Sequence, residues 1–126
     1  MTPEEFKLFV DERLKSCLDK LHGGKAAEYS RNNDRLHNFK RAGEMSNCIP
    51  ERALWGMLVK QLVSIVDMID DLGPVAARRD GRFVLIPSSE MTTEKFDDAI
   101  NYFLLLNALI HERQILNRLT KVIKGY

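Results

Sequence analysis

The chain has little of what marks a secreted, membrane-spanning or metal-knuckle protein. It has two cysteines in 126 residues, Cys17 and Cys48. They make neither a disulfide framework nor a thiolate metal site, and both are expected to be small buried or half-buried side chains. No apolar run approaches the roughly 20 residues of a membrane helix. Ile65–Val66 and Phe103–Leu106 sit among charges. The opening Met1-Thr2-Pro3-Glu4-Glu5-Phe6 is acidic and lacks a signal-peptide layout, so a cytoplasmic protein is expected. Charge of one sign is missing too. Lys and Arg number 19 and Asp and Glu 18, for a net +1. That balance argues against a general duplex-DNA binder. No phosphate-binding Gly-x-x-x-x-Gly-Lys loop, no Gly-x-Gly-x-x-Gly, no His-Glu-x-x-His and no recognisable nucleophile context occurs.

What is present is helix. Thr2-Pro3-Glu4-Glu5 carries the residues of a capping box with proline at the first helical position. Phe6, Phe9, Val10, Leu14, Cys17, Leu18 and Leu21 then recur at spacings of three and four, which predicts an amphipathic helix ending at Gly23-Gly24. A short helical piece is expected over 25–30 and a turn at Arg31-Asn32-Asn33. Asp34 is expected to cap a second helix bearing Leu36, Phe39 and Ala42. Pro50 opens a third helix that runs to about Leu72 and stops at Gly73-Pro74. Residues 75–91 break the pattern. Asp80-Gly81 between strand-like runs predicts a small β-hairpin-like excursion. Thr92 or Thr93 then caps a fourth helix, free of Gly and Pro until Gly125. It either extends beyond the body or bends near residues 111–114. The expected fold is one all-α domain over 1–126, a bundle of four main helices with that excursion.

Polar residues fall on particular faces. At 100° per residue, Leu58, Leu62, Ile65 and Ile69 form a core stripe, with Lys60, Ser64, Asp67 and Asp71 opposite. Val59, Val63 and Val66 widen the apolar area, which suggests that the polar stripe faces an internal cleft. A solvated face is the plain alternative. On the fourth helix Glu94, Asp97, Asp98 and Asn101 share one side. Three carboxylates within five residues repel unless a cation sits between them. Asp67, Asp70 and Asp71 facing Glu94, Asp97 and Asp98 would make an all-oxygen cage suited to Mg²⁺, with Asp67, Asp71, Glu94 and Asp98 as the expected ligands. The segment 25–41 mixes Lys25, Arg31, Arg35, Lys40 and Arg41 with Tyr29, His37 and Phe39 and with Asn32, Asn33 and Asn38. That composition supplies charge for a phosphate, faces for a base and forked groups for its edges. Lys25, Arg35, Asn38, Lys60 and Asn101 are the expected nucleotide contacts. No residue is assigned a catalytic role.

Three blocks carry a resemblance: Lys25-Ala-Ala-Glu28-Tyr29 with Asp34-Arg35-Leu36-His37-Asn38-Phe39-Lys40; Lys60 with Ser64-Ile65-Val66-Asp67-Met68 and Asp71; and Glu94-Lys95-Phe96-Asp97-Asp98-Ala99-Ile100-Asn101-Tyr102. Over about residues 20–110 the chain resembles the phage and prophage nucleotide-modification-associated domain proteins. More distantly, it resembles the MazG-type all-α nucleoside triphosphate pyrophosphohydrolases. The resemblance implies acidic residues on two adjacent helices holding Mg²⁺ on a triphosphate. Glu94 with Asp97 or Asp98 matches the second acidic motif. The first, of Glu-Glu-x-x-Glu type, is replaced here by Asp67, Asp70 and Asp71. The expected function is a nucleotide-binding, Mg²⁺-dependent (pyrophospho)hydrolase-like protein of the host cytoplasm. The alternatives are a non-catalytic protein that sequesters cyclic nucleotide signals of antiviral defence, and a helical interaction module. Ala108, Ile115, Leu119 and Val122 form a coiled-coil-like seam. Residues 112–124 are therefore expected to join copies into a homo-oligomer.

Overall fold

The structure, a computed structural model, describes residues 1–73 and 85–125, without the side chains of Lys25 and Ala27. The described part is all-helical: α1 (Pro3–His22), α2 (Gly24–Tyr29), α3 (His37–Met45), α4 (Pro50–Leu72) and α5 (Ser89–Lys124). None of these helices is long and apolar enough to cross a membrane.

The ends of the helices follow local chemistry. The Thr2 hydroxyl accepts from the Glu5 amide at 3.1 Å while the Thr2 amide donates to Glu5 Oε2 at 2.8 Å, completing the capping box. Pro50 opens α4 and Gly73 closes it. Asp34 does not cap α3 as expected. It sits in a tight turn, paired through both backbone groups with Arg31, and its side chain accepts from the Leu36 amide at 3.0 Å. Asn32 and Asn33 hold that turn at φ 53° and 59°, where asparagine is tolerated best after glycine. The cap of α5 is Ser88 rather than Thr92 or Thr93: its side chain accepts from the Met91 amide at 3.1 Å.

That cap corrects the excursion expected over 75–91. Among the described residues there is no strand, and Ser89, Glu90 and Met91 already belong to α5. Residues 85–88 are irregular, and residues 74–84 lie outside the description. The Leu85 amide donates to the Asp71 carbonyl at 3.0 Å, which ties the approach to α5 to the end of α4.

α4 and α5 run antiparallel, with Arg113 Nε on Glu51 at 2.8 Å near the start of α4. Between them and α3 lies the core cluster of Leu36, Phe39, Leu54 and Leu109, joined by Met57, Tyr102, Leu105, Leu106 and Ala108. α1 lies along the first half of α5. Its apolar face is less covered than its spacing suggests: Cys17 is buried, while Phe6, Phe9, Leu14 and Leu18 are about half exposed. Ile69, expected in the core stripe of α4, is 58% exposed. α5 continues unbroken for 36 residues, roughly 54 Å at 1.5 Å per residue. The bend-back near residues 111–114 does not occur, and Ile115, Leu116, Leu119, Val122 and Ile123 are exposed.

Gly43 is the position where α3 meets the start of α4. A Cβ there would lie 2.8 Å from the Cys48 carbonyl oxygen and 3.0 Å from the Pro50 nitrogen. Both are backbone atoms that cannot rotate away. Gly43→Ala is therefore expected to lower the unfolding free energy by about 1–3 kcal/mol despite alanine's better helix propensity. Urea denaturation of the two proteins measures it.

Candidate functional site

The site is built from the end of α1 inward. Arg13, Ser16, Cys17 and Lys20 recur at helical spacing on α1 and converge on one carboxylate of α5, Asp97, which has no exposed surface. Ser16 Oγ donates to Asp97 Oδ2 at 2.5 Å, Lys20 Nζ to the same oxygen at 3.0 Å, and Cys17 Sγ to Oδ1 at 3.4 Å. Arg13 stands 3.8 Å away and donates to Thr93 at 2.7 Å. Burial works against ionisation of Asp97, but the hydrogen bonds from Ser16, Lys20 and Cys17 outweigh it. They hold its pKa below the ordinary carboxylate value. Burial, with Asp97 beside it, pushes the Cys17 thiol up to about 11. One turn further, the Asn101 side-chain amide donates to the Cys17 carbonyl at 3.0 Å.

These bonds place the C-terminal end of α1 beside a cleft of about 840 Å³ to which all five helices contribute. That size lies within the range of small-molecule sites, about 300–1,000 Å³. Asp19 and Lys20 line it from α1, Tyr29 from α2, Arg35 from the turn before α3, and Asn38 and Phe39 from α3. Met57 closes it from α4, and Glu94, Asp98, Asn101 and Tyr102 line it from α5. Burial, and then the neighbouring Glu94, raise the pKa of Asp98 against the lowering effect of Lys20. Burial, with Asp98 and Tyr29 nearby, also raises that of Tyr102.

Two polar atoms in the cleft wall are buried without a hydrogen-bond partner. Arg35 gives Nη2 to the Leu21 carbonyl at 3.0 Å and leaves Nη1 unmatched. Asn101, 7% exposed, has spent its amide donor on Cys17, so its Oδ1 accepts nothing. Both atoms belong to residues that line the cleft, as do Tyr29, Phe39 and Tyr102.

Of the residues expected from the sequence, the structure gathers Arg35, Asn38, Asn101, Glu94 and Asp98 around this one cleft. Lys60, Asp67 and Asp71 do not line it. Lys60 and Asp67 are exposed on α4, as is Asp71, whose carbonyl is held by Leu85. Lys25 lies in α2, with its side chain outside the description. Among the described residues no group of three or more His, Cys, Asp or Glu side chains is close enough to hold a metal ion. The widened apolar flank of α4 faces outward instead of enclosing its polar stripe: Val63 and Val66 are 54% and 52% exposed. The basic segment divides between two surfaces. Lys40 is held by Asp34 at 2.8 Å and Glu112 at 2.6 Å, and Arg41 by Glu44 at 2.8 Å, all outside the cleft.

The sequence reading missed Asp19, Lys20 and the role of Asp97. The signal was the line Arg13, Ser16, Lys20 beside the apolar face of α1, at the spacing of a strip that meets one partner.

Asp97→Asn is expected to cost on the order of 2 kcal/mol, less than a fully buried pair because Lys20 and Arg13 can regain water. The pH dependence has a definite sign. A carboxylate with a depressed folded pKa stabilises fully above its unfolded value of about 3.9, and that contribution is lost as pH falls through the lower folded value. Wild-type protein should therefore lose its advantage over Asp97→Asn as the pH falls below that range. Chemical denaturation at stepped acid pH reads it.

No family model, no curated protein and no solved structure matches this chain.

Proposed function

We propose that this protein binds a nucleoside phosphate in the five-helix cleft. The observation that carries the reading is the pair of unmatched buried atoms, Arg35 Nη1 and Asn101 Oδ1. A buried polar atom left unpaired costs about 1–3 kcal/mol, so a ligand that supplies both partners recovers that cost. The guanidinium calls for an anionic acceptor, for which a phosphate oxygen is the geometric match. The amide oxygen calls for an N–H or O–H donor, which a base edge or a ribose hydroxyl supplies. Tyr29, Phe39 and Tyr102 offer faces for a planar base.

Glu94 and Asp98 stand one turn apart on the same wall, and burial with like charge disfavours ionisation of Asp98. A divalent cation would relieve that repulsion. Mg²⁺ typically takes one or two carboxylates and completes its shell with phosphate oxygens and water, which fits the two carboxylates of this wall. When bound, it would neutralise phosphate charge and activate water for phosphoanhydride hydrolysis, the reading that accords with the resemblance to the pyrophosphohydrolases. Asp67 and Asp71 are not part of this arrangement. A second reading, capture of a nucleotide without cleavage, is favoured by Asp97. Of Glu94, Asp97 and Asp98 it has the most complete hydrogen bonding, and all of it goes to α1.

A thermal-shift screen of the four nucleoside triphosphates and of cyclic nucleotides, with and without Mg²⁺, tests the reading. At a ligand concentration 100 times Kd the stabilisation should be about 2.7 kcal/mol. Arg35→Ala should weaken binding at least about tenfold. Glu94→Gln should remove the dependence on Mg²⁺, and Asp67→Asn should change neither. Chromatography of the bound nucleotide then separates the two readings: pyrophosphate release supports cleavage, and intact ligand supports capture. No shift with any nucleotide would reject both.

A further inference from the structure

We infer that the overhang of α5 beyond Arg113 docks on the first half of α1 of a second copy of this chain. Both surfaces continue a contact that the chain already makes within itself. α1 and α5 run in the same sense, because Arg13 reaches Thr93 and Asn101 holds the Cys17 carbonyl. In that register α1 begins roughly 9 Å before α5, and α5 ends roughly 30 Å beyond the level of His22. The offset leaves each helix with an open stretch of the side that it turns to the other.

On α5, Asp97 and Asn101 mark the side turned to α1. At 100° per residue Ile115 falls in line with Asp97 and Leu119 with Asn101, each about five turns further on, and Val122 lies within about 20° of Asp97. α3 reaches along this side as far as Glu112, which Lys40 holds at 2.6 Å. Past Glu112 the residues Ile115, Leu119 and Val122 are exposed, with Leu116 and Ile123 beside them. On α1, Phe6 and Phe9 lie within about 30° of the mean direction of Arg13, Ser16, Cys17 and Lys20, the side that grips Asp97. They are nonetheless 57% and 49% exposed.

Charge assigns these two stretches to each other. The first half of α1 carries four carboxylates, Glu4, Glu5, Asp11 and Glu12, and a single cation, Lys7, which stands 3.5 Å from Asp11. The overhang carries Arg118, Lys121 and Lys124 and no acid. All of these side chains are exposed. Glu5 and Glu12 flank Phe6 and Phe9, and Arg118 flanks the Ile115–Leu119 stripe. Two overhangs brought together repel, as do two copies of the acidic half of α1. Only the mixed pairing sets opposite charges around two apolar stripes. A twofold axis lets each copy give its overhang to the other's α1, so that both contacts close together.

Sedimentation of the full chain at about tens of micromolar should show a particle of at least twice the 14.5 kDa chain mass, with association weakening as salt rises. Leu119→Glu sets an acid against the acids of α1, and Phe6→Lys sets a cation against the overhang. Each variant alone should raise the dissociation constant on the order of a hundredfold. Mixed in equal amounts, the two variants should reassemble, because one contact is then unaltered and the other pairs the two introduced charges. Both positions are exposed in the single copy, so circular dichroism should keep its helical signal. A 14.5 kDa particle from the unmodified chain overturns the proposal, and its sedimentation with anionic phospholipid vesicles would give the overhang to a membrane surface instead. An oligomer that Leu119→Glu dissociates and Phe6→Lys leaves intact also overturns it, because the overhangs would then pair with each other. So does a mixture of the two variants that fails to reassemble.

Discussion

The cleft depends on one buried carboxylate. Asp97 collects Ser16, Cys17 and Lys20 from a single helix, and with Asn101 bonded to the Cys17 carbonyl it fixes the height and rotation of α1 on α5. Most of the apolar face of α1 is half exposed, so apolar burial alone defines its position poorly. A buried ionic cluster is a weak source of net stability, because desolvation offsets most of the attraction. Its effect here is one of position. It puts Asp19, Lys20 and Leu21 at the cleft and brings the Leu21 carbonyl within 3.0 Å of Arg35.

The same step along α5 divides neighbouring acids into different roles. Asp97 and Asp98 are adjacent in sequence but about 100° apart around the helix. Asp97 turns to α1 and is surrounded by donors, so its pKa falls. Asp98 turns to the cleft, where it is partly desolvated near Glu94, so its pKa rises. Environment separates two identical groups into one held ionised and one whose ionisation is disfavoured.

Helix boundaries were legible wherever a side chain fixes them locally, as at Thr2, Pro50 and Gly73. The cap of α5 was misplaced because Ser88, Thr92 and Thr93 all satisfy the same local rule, and the competition is settled by the chain's approach from Leu85. The cleft residues Arg35, Asn38, Glu94, Asp98 and Asn101 were legible as chemistry. Their separation from Lys60, Asp67 and Asp71 was not. Helical spacing tells which residues of one helix share a face, but not which neighbouring helix that face meets. The valines of α4 illustrate this: their spacing marks an apolar flank equally well whether it is covered by the chain itself or left at the surface.

The cleft and the core are built from shared residues. Phe39, Met57, Tyr102 and Leu105 line the cavity and also belong to the cluster around Leu54 and Leu109. The inner wall of the site is thus the outer wall of a thin core, and a ligand with a planar apolar face would extend that core rather than occupy a separate chamber. Its polar end would meet Arg35 and Asn101, whose unmatched atoms belong to the same wall. Binding and folding would then be linked through the same contacts: a base stacked on Tyr29 and Tyr102 would remove their exposed surface from water. The ligand would stabilise α3 against α5 directly, and α1 through the Arg35 bond to Leu21. α1 itself is anchored chiefly by the polar cluster at Asp97.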